Sequence, residues 1–123
     1  MKYALAVVTV FAFAGPAIAQ HAHGSKGPNG GLMEDVAGVH AELLTSGNTI
    51  TVNIFDEDNK PVSTKGFTAS ALVVRGSERE PVTLSAADNA LKGDSKTAVG
   101  ANATVLVTLK TAAGKSGQAR FKK

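Results

Sequence analysis

From residue 32 onward, apolar positions recur at every second residue in short runs. Val39, Ala41 and Leu43 alternate with His40, Glu42 and Leu44, and Ile50, Val52 and Ile54 alternate with Thr49, Thr51 and Asn53. Successive side chains of an extended chain point to opposite faces, so this period marks strands with one buried face. Ser46-Gly47-Asn48 lies between the two runs and predicts a tight turn joining them as an antiparallel hairpin. Further strand-like runs follow over 67–74, 81–85, 103–110 and 117–122, with a short edge piece over 90–93. Polar turns are expected at 56–61, 75–77 and 113–115. No window carries a 3.6-residue apolar stripe, although residues 85–91 allow one turn of helix. The pattern predicts an all-β fold, a small antiparallel β-sandwich of the immunoglobulin-like kind, with its strand order left open. Its core is expected to include Leu43, Ile50, Val52, Ile54, Val73, Leu84, Val105, Val107 and Phe121.

The first 31 residues do not share this pattern. Lys2, the apolar run from Ala4 to Ala14, the Gly15-Pro16 break and Ala17-Ile18-Ala19 together read as a secretory signal peptide over residues 1–19. The apolar run is shorter than the roughly 20 residues that span a bilayer, and none of that length follows. The expected product is therefore exported, starts at Gln20 and does not insert into the membrane; an uncleaved anchor is the alternative. Residues 20–31 are rich in Gly, Pro, His and polar side chains and read as a flexible His/Gly-rich arm, leaving 32–123 as the β-sandwich domain. The absence of cysteine rules out disulfides, thiolate ligands and thiol catalysis. For an exported chain this favours a bacterial periplasm.

Charge narrows the partners. Without Lys2 the chain has twelve basic and ten acidic side chains, too even a balance for a nucleic-acid binder. Arg120, Lys122 and Lys123 form a basic end that reads as a solvated tail, and Asp56, Glu57 and Asp58 read as a solvated turn without calcium-loop spacing. Phosphate loops, nucleophile elbows and H-E-x-x-H helices are absent, so the chain does not read as an enzyme.

The residues that carry chemistry lie between His21 and Glu42. All three histidines are here, His21, His23 and His40, together with Met33. His21 and His23 are two apart, as are His40 and Glu42, so each pair can present two ligand atoms on one face of an extended chain. KGPNGG between them is a turn-former that can fold the first pair toward the second. Imidazole and carboxylate suit divalent transition metals, and a thioether such as Met33 suits Cu(I). The candidate metal ligands are His21, His23, His40, Glu42 and Met33, for copper or another divalent transition metal. A metal-free β-sandwich interaction domain of the cell envelope, docking through a sheet edge, is the competing reading.

These residues also carry a family resemblance. His23-Gly24, then Gly27-Pro28-Asn29-Gly30-Gly31, then Gly38-Val39-His40-Ala41-Glu42-Leu43, resembles a segment of the periplasmic adaptor subunits of CzcB-type heavy-metal efflux systems and their small free-standing relatives. In that pattern an HGPxGG-like turn precedes a strand with H-x-E-L and a hairpin ending in an acidic turn with KPV. Asp56-Glu57-Asp58-Asn59-Lys60-Pro61-Val62 matches the ending. The resemblance spans residues 20 to about 74 and implies a periplasmic module that handles copper, zinc, cobalt or nickel, with a heavy-metal efflux complex as partner. The long helical hairpin and lipoyl-like parts of a full adaptor are missing, so the resemblance is to one free-standing domain.

Overall fold

The period-two runs are strands. A computed structural model describes residues 25–123, and among them there is no helix. The strands are β1 (Leu32–Val36), β2 (Val39–Ser46), β3 (Thr49–Phe55), β4 (Thr68–Arg75), β5 (Glu78–Ala87), β6 (Ala90–Asp94), β7 (Thr104–Lys110) and β8 (Ser116–Lys122). They form one antiparallel sheet in the order β1-β2-β3-β6-β5-β4-β7-β8, folded over so that β1 and β8 meet. The result is a sandwich that is nearly a closed barrel. Every core residue expected from the alternation lies inside it: Ile50, Val52, Ile54, Val73, Val105 and Val107 at 0% exposure, Phe121 at 1%, and Leu43 and Leu84 at 4%.

The fold turns at β5. Its residues Glu78 to Leu84 pair with β4, whereas Ser85, Ala86 and Ala87 pair with β6. The close crossing requires Gly93, where a Cβ would stand 2.4 Å from the Thr83 carbonyl oxygen. Gly117 does the same at the seam, since a Cβ there would stand 2.9 Å from the Ala37 nitrogen, across from β8. Pro81 pairs with Leu72 of β4 at a point where β6 does not flank β5, so its missing N–H interrupts no second ladder.

Three local expectations are corrected. Residues 85–91 are not a helical turn: β5 runs to Ala87, Asp88 turns the chain with φ 54°, and β6 begins at Ala90. A left-handed Asp is a turn residue, and the ladder between Ala87 and Ala90 holds it there. The 90–93 piece is not at an edge, because β6 lies between β3 and β5 with Leu91 fully buried. Arg120 and Lys122 are not in a solvated tail but in β8, where Ala119 and Phe121 anchor the strand in the core.

Candidate functional site

The first hairpin builds the site. Ala37 (φ 52°) and Gly38 (φ 83°) are both left-handed, the signature of a type I′ turn, and they join β1 to β2. The register places Asp35 opposite His40 and Met33 opposite Glu42. Opposite residues share a face, so Met33, Asp35, His40 and Glu42 all stand on the side away from the core, where Ala41 and Leu43 point.

Glu42 is nevertheless fully buried, at 0% exposure. The turn at residues 27–31 covers it. Its Oε2 accepts hydrogen bonds from the backbone N–H groups of Asn29 (2.8 Å) and Gly31 (3.0 Å), and its Oε1 accepts from Nδ2 of Asn29 (2.8 Å) and of Asn53 (3.4 Å). The turn is closed by Gly27 N–H to Gly31 C=O (2.7 Å) and Gly30 N–H to Gly27 C=O (3.0 Å), and Met33 N–H reaches back to Ser25 C=O (2.9 Å). The glycines are needed for closeness, because a Cβ on Gly27 would lie 2.4 Å from Glu42 Oε2. Residues 25–31 are therefore a hydrogen-bonded clasp rather than an extended arm. Glu42 supplies acceptors for N–H groups that would otherwise face a strand surface unpaired.

Beside the clasp is an open cleft of about 820 Å³, lined by the clasp residues 25–28, by Met33, Glu34, Asp35 and His40, and by Glu57 and Asn59 of the loop after β3. Asp56 shapes that loop by accepting from the N–H groups of Asp58 and Lys60, both at 2.9 Å. Within the cleft, His40 Nδ1 is in contact with Asp35 Oδ1. A carboxylate beside Nδ1 favours the tautomer with its proton on that nitrogen, so the open lone pair is on Nε2.

Of the five expected ligands, the structure brings His40 and Met33 into this cleft. Glu42 is not among the cleft-lining residues, and its oxygens are occupied by the clasp. His21 and His23 lie outside the described residues. Among the described residues no three His, Cys, Asp or Glu side chains are grouped to hold a metal ion. Asp35 was missed in the sequence because the 32–36 run shows little alternation, and its pairing with His40 follows only from the Ala37-Gly38 turn. Comparison with known protein families, curated proteins and solved structures finds no match for this chain.

Proposed function

We propose that this chain is an exported, periplasmic transition-metal-binding module, a metal chaperone or efflux-associated protein, with its site built on His40. One observation carries the reading: Asp35 against Nδ1 of His40, in a cleft that Met33 also lines. Metal-ligating histidines commonly hold their second nitrogen against a carboxylate in this way, which fixes the tautomer and the orientation of the ring. Two fixed donors are too few for a closed site. His21 and His23 would supply the others, and Ser25, on the cleft's rim, is two residues after His23. A two-residue tether spans at most about 7 Å. Glu42 serves this site indirectly, by fixing the clasp from which that tether starts.

A thioether with imidazoles favours Cu(I), whereas imidazoles alone also suit Cu(II), Zn(II), Ni(II) and Co(II). The resemblance to CzcB-type adaptors adds a heavy-metal efflux complex as the destination of the ion. The competing reading, a metal-free envelope domain docking through a sheet edge, has less to stand on, because the two ends of the sheet lie against each other. Calorimetric titration of the protein and its His40→Ala variant with each of the five ions tests the proposal. Tighter binding of at least one ion by the parent protein is expected, and equal affinities for all five would remove His40 from any site.

A further inference from the structure

The outward face of the half-sheet β5-β4-β7-β8 is chemically one-sided. The registers place its side chains in rows across the four strands: Arg79, Val74, Thr104 and Lys122, then Pro81, Leu72, Leu106 and Arg120. Thr83, Ser70, Thr108 and Gln118 form the next row, followed by Thr68, Lys110 and Ser116. These rows contain four cations and no carboxylate. Arg79, Lys110, Arg120 and Lys122 are all exposed, and Leu72, Val74 and Leu106 between them are only half-buried. Exposed Glu78 borders the face at the β4–β5 turn, and across the seam Glu34 and Asp35 line a groove with Arg120 and Lys122.

An overall balance of charge that is close to even thus conceals a face of one sign. Its hydroxyl and amide rows add hydrogen-bond groups, and its apolar patch is too small for a permanent interface. We infer that this face rests on an anionic lipid surface. The cations would lie at the level of phosphate headgroups, with Leu72, Val74 and Leu106 touching the interface between them. A broad face with cations distributed along and across its strands matches a planar array of phosphates better than a single extended acidic peptide, which docks by a groove or an open sheet edge. His40 and Met33 stand on the outward side of the other half of the sheet, so this mode of docking leaves their cleft open.

The test is residue-resolved NMR of the protein with nanodiscs of mixed phosphatidylglycerol and phosphatidylcholine, and with nanodiscs of phosphatidylcholine alone. Signal loss is expected at Leu72, Val74, Leu106 and Arg120 with the anionic discs only. It should diminish as salt is raised, since surface charges are screened over about 10 Å at 0.1 M. The Arg79→Glu, Arg120→Glu double variant should abolish the effect at Leu72, Val74 and Leu106 while its spectrum stays that of a folded protein. The residue-resolved signal separates this face from contacts made by the apolar stretch at residues 4–14. Equal effects with both kinds of disc, signal loss centred on another surface, or an unchanged response in the folded variant would each overturn the inference. So would perturbation of these same residues by poly-glutamate with no response to anionic discs, which would assign the face to an acidic protein.

Discussion

Asn29 is bound twice to Glu42, through its backbone N–H to Oε2 and its side-chain Nδ2 to Oε1, each at 2.8 Å. This pair of hydrogen bonds between residues thirteen apart ties the KGPNGG turn to the outward face of β2. It converts a Gly-rich segment into a fixed wall of the His40 cleft.

The clasp gives the first prediction. Glu42→Ala strands two backbone donors, those of Asn29 and Gly31, and should cost about 2–4 kcal/mol in denaturant unfolding. Glu42→Gln should cost less, about 1 kcal/mol. Its oxygen can keep the two backbone N–H groups while the amides of Asn29 and Asn53 turn their oxygens toward its new NH₂. Hydrogen exchange at Gly31 should speed up in the Ala variant more than in the Gln variant. Equal stability of all three proteins would show that the clasp holds nothing.

Glycines at the corner and in an open loop should respond oppositely to the same change. Gly93→Ala must displace the β5 backbone at Thr83 and should lower stability by about 1–3 kcal/mol. Gly100 has nothing within 4 Å of an added Cβ, so Gly100→Ala should stay within about 0.5 kcal/mol of the parent. Thermal unfolding of the two variants measures the difference, and a neutral Gly93→Ala would mean that β5 does not cross β6 as closely as the geometry requires.

The interior was legible because burial on one face writes itself as alternation. Ile50, Val52 and Ile54 needed no tertiary information. Leu91 was placed at an edge because a five-residue strand is too short to show whether one or two neighbours flank it. Thr64, also fully buried, gave no signal at all. It lies outside any strand, and its hydroxyl is held by the carbonyls of Asp88 and Ala90, more than twenty residues away. The site was half legible for a related reason. Spacing put His40 and Glu42 on one face, and they are on one face. Whether a carboxylate there meets water, metal or a turn depends on what the chain lays over it, and residues 27–31 lie over Glu42.

The signal-peptide reading makes its own prediction. Mass spectrometry of the protein recovered from its native host should give an N-terminus at Gln20, from cleavage after Ala17-Ile18-Ala19. A recovered chain that retains Lys2 and fractionates with membranes would make the segment an anchor.

The proposed metal site makes the last prediction, and Asp35 is its most discriminating residue. If Asp35 only decorates the surface hairpin, Asp35→Asn should change neither stability nor metal affinity by more than a small amount. If it orients His40 for coordination, Asp35→Asn should weaken binding about 10–100-fold while leaving unfolding nearly unchanged. His40→Ala should weaken it further, and the double variant should be no worse than His40→Ala alone, because Asp35 acts only through that imidazole. Deleting residues 20–24 removes His21 and His23 and should also weaken binding, with an effect that is not additive with His40→Ala, since both contribute to one ion. Acidification should lower affinity in the parent protein, because an imidazole must shed its proton to bind metal. An arm-only site would show that pH dependence too, but it would be indifferent to Asp35 and His40. Calorimetry across these variants therefore separates a site shared between cleft and N-terminal segment from weak capture by two neighbouring histidines. Unchanged affinity in both Asp35→Asn and His40→Ala would leave the cleft without a metal.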